Sequence, residues 1–270
     1  MTKWIRFNFK QDESLFGILD GDSVEEYEGD LFENPKPTGR KIPFNEIQVK
    51  APLEPNSIFA LWNNFYERAE KEEQTIPDVP LYFMKPLTSV IGTEQTIYRP
   101  RGHQGRVIFE AELGIVIGSK CTEVGESEAA EYIFGYTCVN DVTAIEFLFE
   151  DKAFQQWTRC KGFDTFTPIG PCIATGIDPD GMQVKAVQNG ETRQDYPVSD
   201  MIFSPLQIIS MMSHYQTLRP GDLICCGTSV VARTMKPGTK IDIVIPSIGT
   251  LTNPFDDLPD LVVTCLSNNP

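Results

Sequence analysis

Glu110 and Glu112 lie two positions apart inside the apolar run Val107–Gly118, "VIFEAELGIVIG". Side chains i and i+2 of a strand share one face, so this run predicts a buried strand with both carboxylates looking the same way. Left uncompensated, the pair is costly: like charges raise at least one pKa, and desolvation adds several kcal/mol per ion on an order-of-magnitude view. Two readings fit the residues. Either the carboxylates sit on the wet face of an edge strand, or a divalent cation lies between them. Ile108, Gly114 and Val116 share that face and are not polar, which weakens the first. Ligation by oxygen alone selects hard ions, Mg²⁺ or Mn²⁺, with Ca²⁺ as a substitute. Asp141 closes the apolar stretch "YTCVND" where a loop begins, and is the natural third ligand.

Other groups could act beside such a centre. Lys161 in "CKGFDTF" and Lys85 in "YFMKP" are single basic residues in apolar or turn contexts. Either could hold a carboxylate or a developing enolate oxygen, or simply snorkel to the surface. "CCGTS" (225–229) brings a glycine and two hydroxyls to a strand end, as an anion contact or as a plain turn. No nucleophile elbow, phosphate loop or dinucleotide fingerprint is present. With His103 and His214 the only histidines, a histidine-rich zinc site is nearly excluded. The seven cysteines, among them Cys265, are odd in number and lack C-x-x-C spacing, which implies small core hydrophobes in a reducing, cytoplasmic setting.

The elements that must position these groups read as β-rich α+β. "WIRFNF" alternates as a strand, "LFGILDGDSV" is a strand and turn, and "NPKPTGRKIP" is a Pro/Gly-rich connector. "SIFALWNNF" is an apolar strand running into the helix-forming "YERAEKEEQ". In "MQVKAVQNGETRQ", Asn189-Gly190 supplies the two positive-φ residues of a type I′ hairpin turn. "SPLQIISMMSHYQTL" is an amphipathic helix, followed by the strands "LICCGTS" and "KIDIVIP". Turn-separated strands at this spacing predict a closed or rolled sheet, in a small N-terminal domain (1–52) and a larger one (53–270). The chain has 38 acidic against 23 basic residues, a net charge of −15, which argues against nucleic acid and anionic membranes as partners. The start, "MTKWIRFNFKQDE", has no apolar h-region and no uninterrupted apolar run reaches ~18 residues, so neither a signal peptide nor a membrane span is expected.

Taken together, "FEAELGIVIG", "YIFGYTCVNDVTA", "KGFDTFTPIGP", "VQNGETRQ", "DMIFSPLQIISMMSHYQTLRPGDLICCGTS" and "GTLTNP" resemble the fumarylacetoacetate hydrolase family in order and spacing, from about residue 55 to 265. The resemblance implies a mixed β-roll core, usually homodimeric, behind a small N-terminal β domain. It implies Mg²⁺ or Mn²⁺ on Glu110, Glu112 and Asp141, and a 2-oxo or β-diketo acid substrate whose enolate the metal stabilises. Lys161 and Thr228 match substrate-contacting residues of the family, and Lys85 matches a lysine near its lid.

Two departures limit what carries over. Hydrolytic members have N-Y-x-x-H-x-x-E on the lid, where a His–Glu dyad activates water. Here the segment is "NFYERAEK", with Arg68 at the histidine position and Lys71 at the glutamate position. Arginine is no general base at neutral pH. The family's A-R-D-x-Q is "AIEFL" here, with Ile145 and Leu148 for the Arg and Gln. The favoured expectation is therefore a tautomerase, isomerase or decarboxylase in which Arg68 binds a distal substrate carboxylate. The alternatives are a hydrolase with a relocated base (Glu70, Glu67 or Tyr66, with His103 as a further candidate) and a metal-dependent binding protein without turnover.

Overall fold

The alternation in the first residues builds the strand Thr2–Phe9, which turns Ile5, Phe7 and Phe9 inward. The structure, a computed structural model, describes residues 1–230 and 233–259; Cys265 lies outside them. Strands dominate in three sheets, with short helices between them. The largest sheet has twelve strands. Its path runs Lys36–Pro43, Ser23–Glu28, Asp12–Asp20, Thr2–Phe9, Thr167–Thr175, Ile133–Asn140, Ala111–Ile117, Leu223–Cys225, Ile58–Trp62 and Leu81–Met84. The pairing is mixed: Leu223–Cys225 runs parallel to Ile58–Trp62, whereas Ala111–Ile117 is antiparallel to both its neighbours. The N-terminal strands extend this sheet, since Thr2, Lys3 and Trp4 pair with Thr175, Ala174 and Ile173.

A five-stranded sheet, including the hairpin Gln183–Gln188 and Glu191–Pro197, packs over one face of the larger sheet. Leu113, Ile115 and Ile117 meet Val184, Ala186, Ile243 and Leu251 in that core. The hairpin turn is as the sequence predicts, with φ of 51° at Asn189 and 84° at Gly190. The opposite face of the large sheet carries a second apolar cluster, in which Val116 meets Val139, Leu223, Cys225 and Ala60. By alternation, Glu110, Glu112 and Gly114 belong to that second face.

Two sequence expectations need correction. "NPKPTGRKIP" is not a connector; Lys36–Pro43 is a strand that pairs with Ser23–Glu28. It lies at the end of the sheet with a register shift between Glu25 and Tyr27, the place where prolines that cannot donate to a ladder are tolerated. The run Val107–Gly118 is not one strand either. It breaks at Glu110 into Val107–Phe109, in a three-stranded sheet with Thr143–Ala144 and Arg233–Met235, and Ala111–Ile117 in the large sheet. The strand paired with it breaks at the same level, between Ile133–Asn140 and Thr143–Ala144. Glu110 and Asp141 thus face each other at a corner where two adjacent strands leave one sheet for another.

The remaining helices are short. Tyr66–Lys71 follows the strand Ile58–Trp62, and Trp157–Lys161 delivers Lys161 at its last turn. Pro205–Ser213 starts with a capping box of Ser204 and Gln207. No helix among the described residues is long and apolar enough to cross a membrane.

Candidate metal centre

At the sheet corner the backbone of Glu110 is fixed on both sides. Its N–H donates to Asn140 Oδ1 at 3.1 Å, and its carbonyl accepts from Asp141 N–H at 2.9 Å. Glu112 lies one pleat further along the same face. The result is convergence: one carboxylate oxygen each from Glu110, Glu112 and Asp141 lie within 4.8 Å of one another, and all three side chains are buried. That spacing fits oxygen ligands around a single ion of Mg²⁺ to Ca²⁺ size, whose metal–oxygen bonds run about 2.0–2.6 Å.

Protein cations compensate two of the three carboxylates. Lys161 Nζ donates to Glu110 Oε2, to Asp141 Oδ2 at 2.6 Å and to Thr143 Oγ1 at 2.6 Å. Lys85 Nζ donates to Asp141 Oδ1 and to the Phe166 carbonyl at 2.9 Å. Arg68 spans the lid and the corner, giving Nη1–H to Glu110 Oε1 at 3.1 Å and Nε–H to Glu72 at 3.0 Å. Burial pushes the Glu110 carboxyl up, but Lys161 and Arg68 outweigh it and hold the group at about 2. Burial works against the Lys161 ammonium too, yet Asp141 and Glu110 keep it above its ordinary value and charged.

Glu112 differs. Among the described residues no cation pairs with it; its Oε2 accepts only the Gly227 N–H, at 2.9 Å. Burial, Asp141 and Glu110 all push its carboxyl well above the ordinary range. A buried carboxylate with two acidic neighbours and no protein cation is the feature a divalent ion would satisfy. Gly227 has the positive φ (+87°) needed to aim that N–H, a backbone conformation that residues with a side chain rarely adopt.

The other residues singled out from the sequence fall into two groups. Lys161, Lys85 and Arg68 all reach the triad. Thr228 stands beside it, its Oγ1 accepting from Gln194 at 2.9 Å, with Tyr196 Oη at 3.3 Å. Glu70 is exposed and carries no side-chain hydrogen bond among the described residues. It lies two residues, about 200° of helix turn, from the inward-facing Arg68. Glu67 is tied to Lys71 at 2.6 Å, and Tyr66 is exposed. His103 is buried elsewhere, with Nε2 3.5 Å from Glu146 and its ring against Phe147. All six cysteines among the described residues are free and buried; burial pushes Cys225 and Cys226, next to the site, well up and leaves them inert.

Sequence reasoning passed over Gln194, Tyr196, Asn64 and Asn140. Asn64 fixes the lid base, donating to the Cys226 carbonyl at 2.9 Å and accepting from Phe203 N–H at 2.9 Å. Polar residues among the aromatics of "WNNF" and "RQDY" were the available signal.

Comparison with known proteins identifies the family. Residues 57–256 match the family model described as fumarylacetoacetate (FAA) hydrolase C-terminal, and residues 2–52 one described as Rv2993c-like, N-terminal. An uncharacterised protein of Archaeoglobus fulgidus is 40% identical over 215 residues, 80% of this chain and 84% of that protein. The oxaloacetate tautomerase YisK of Bacillus subtilis is 34% identical over 223 residues, 77% of this chain and 73% of that protein. Among solved structures, 2-hydroxyhepta-2,4-diene-1,7-dioate isomerase from Mycobacterium marinum superposes with a TM-score of 0.87 at 32% identity, covering 96% of this chain and 100% of that one. The chain belongs to the fumarylacetoacetate hydrolase family.

Proposed function

We propose that this protein is a divalent-metal-dependent enzyme that acts on a 2-oxo carboxylic acid as a tautomerase, isomerase or decarboxylase. The observation that carries the reading is the buried, all-oxygen triad in which Glu112 has no protein cation. Glu110, Glu112 and Asp141 would hold Mg²⁺ or Mn²⁺. When bound, the ion supplies Lewis acidity toward the 2-oxo and carboxylate oxygens of the substrate and so favours enolate character.

The chain's own residues supply the rest. Lys161, fixed by three oxygen partners, sets a permanent positive charge beside developing negative charge. Thr228 offers a hydroxyl to a substrate oxygen. Among the described residues Arg68 Nη2 makes no hydrogen bond, whereas Nε and Nη1 do, and that edge of the guanidinium would be offered to a distal carboxylate. None of the lid residues weighed as a replacement base is bonded to the triad, and Arg68 holds the position from which a base would act. With an arginine at the histidine position, this reading favours proton relocation within an enolate, which does not require attack by water, over hydrolysis. The names of the tautomerase and the dioate isomerase belong to those proteins, and both describe rearrangements of dicarboxylic acids, the class that Arg68 would recognise.

A panel of 2-oxo diacids and acylpyruvates, assayed on chelated protein with and without Mg²⁺ or Mn²⁺, tests the reading. Metal-dependent ketonisation or CO₂ release is expected. Carbon–carbon cleavage by water would replace it with a hydrolase using a relocated base, and tight metal-dependent binding without turnover would make the protein a binder.

A further inference from the structure

Ala111 is the single residue between the two glutamates, and the large sheet does not hold it on one side. The N–H and C=O of Ala111, Leu113 and Ile115 point toward Leu223–Cys225, and that neighbour follows only as far as Leu113, whose carbonyl takes Cys226 N–H at 2.9 Å. At Gly227 the backbone turns away, at φ +87°. The Ala111 peptide groups would be left as buried, unpaired polar atoms, each a cost of about 1–3 kcal/mol. Two side chains of the strand Glu191–Pro197 take the place of the missing strand: Gln194 Oε1 accepts Ala111 N–H at 3.0 Å, and Tyr196 Oη–H donates to the Ala111 carbonyl.

Proton accounting extends the contact. Because Ala111 N–H must meet an oxygen, the Gln194 amide has one orientation, with its NH₂ toward Thr228 Oγ1 at 2.9 Å and the Val230 carbonyl at 2.8 Å. Both amide protons are committed there, and the Tyr196 proton goes to Ala111. Among the described residues the Thr228 proton has only the long contact to Tyr196 Oη, at 3.3 Å, and remains the one to present to a substrate oxygen. Gln194 and Tyr196 are each 1% exposed, so both contacts are made out of reach of bulk solvent.

We infer that Gln194 and Tyr196 are positioning residues: they set the approach of the Glu110 and Glu112 carboxylates through the Ala111 peptide, and they aim the Thr228 hydroxyl from the same anchor. This rests on the metal reading above and gives the metal ligands and the substrate hydroxyl one common support. The site therefore answers to a hairpin that contributes no ligand of its own.

Mn²⁺ alone, titrated into chelated full-length protein, is the probe. Tyr196→Phe removes one hydroxyl and keeps the ring, and is expected to weaken Mn²⁺ binding about tenfold, the lower end of what lost support behind a metal ligand costs. Gln194→Met is expected to weaken it at least as much and to raise KM more than it lowers kcat. Thr228→Val should raise KM while keeping Mn²⁺ affinity, which separates the two arms of the support. Variants that bind Mn²⁺ as tightly as the unaltered protein, whatever their melting temperature, would overturn the inference alone. An unaltered protein that takes up no Mn²⁺ would overturn the metal reading and this inference with it. Should Gln194→Met fail to fold, Tyr196→Phe decides.

Discussion

The carboxylate corner and the lid helix lie side by side, joined by Arg68, and they are built in opposite ways. At the corner most groups are held from several sides, with Glu112 the exception. Glu110 is held through both backbone atoms, Lys161 by three oxygens, and Ala111 by two side chains from another sheet. The helix Tyr66–Lys71 has six residues and one buried side chain, Ala69. Its ion pairs are the local Glu67–Lys71 and Arg68–Glu72 contacts, each worth little where water competes, plus the single reach of Arg68 to Glu110. A rigid corner suits chemistry that a family shares, since ligand geometry tolerates little error. A lightly held helix suits the choice of substrate and reaction, because its side chains can change without disturbing the sheet.

If that contrast is right, Glu112→Ala has the largest functional effect and almost no structural one. The variant is expected to lose metal binding and turnover altogether. Its metal-free form should melt close to the unaltered protein, because Glu112 has no cation to strand and the repulsion relieved with Glu110 and Asp141 offsets the loss of an acceptor for Gly227 N–H. Calorimetric metal titration and a thermal melt without metal check both halves. Retained turnover would break the assignment of the triad.

Lys161→Met reverses the balance. Removing the ammonium leaves Glu110 and Asp141 buried with their charges poorly matched, a cost of about 3–5 kcal/mol to the metal-free protein. Because a bound divalent ion restores positive charge and stabilises only the folded state, added Mg²⁺ should raise the melting temperature of this variant more than that of the unaltered protein. Equal metal-free melting temperatures for the two would show that Lys161 is not what balances the corner.

Much of the corner was legible in the sequence, since E-x-E in an apolar run and an aspartate closing another strand need only period-two alternation to converge. The sheet change at Glu110 was not legible. "VIFEAELGIVIG" has the same alternation on either side of the break, and what parts the two strands is the neighbour on the other edge, Arg233–Met235 beside Val107–Phe109 and Leu223–Cys225 beside Ala111–Ile117, both far along the chain. The strand Lys36–Pro43 was hidden for a related reason: its prolines and glycine give a local turn signal, and only its place at the end of the sheet makes them harmless. Gln194 and Tyr196 were invisible because their partner is a backbone peptide, Ala111, which no side-chain pattern announces.

Arg68→Ala moves to the lid and should have an intermediate effect. The loss of a charge-assisted partner for a substrate carboxylate predicts a rise of about 10-fold or more in KM for a 2-oxo diacid, with a much smaller rise for a 2-oxo monoacid. Metal affinity should change far less than in Glu112→Ala, since Glu110 keeps Lys161. Equal effects on diacid and monoacid would mean that Arg68 supports Glu110 and does not read the substrate.

Glu70→Gln tests the least constrained position, and the smallest effect is expected there. The substitution keeps the shape and removes the one property, a carboxylate's basicity, that a relocated water-activating residue would need. Glu70 is exposed and lies on the far side of the helix from Arg68, with no bond to Glu110, Glu112 or Asp141. For it to act, the helix would have to turn by roughly half a revolution, which would pull Arg68 from Glu110 and bring Ala69 out of the core. Metal-dependent turnover of a 2-oxo diacid should therefore match that of the unaltered protein. A collapse of turnover in Glu70→Gln, with metal binding retained, would show that the helix takes another register during catalysis and that Glu70 is a base there, and carbon–carbon cleavage products in the unaltered protein would then make the reaction hydrolysis.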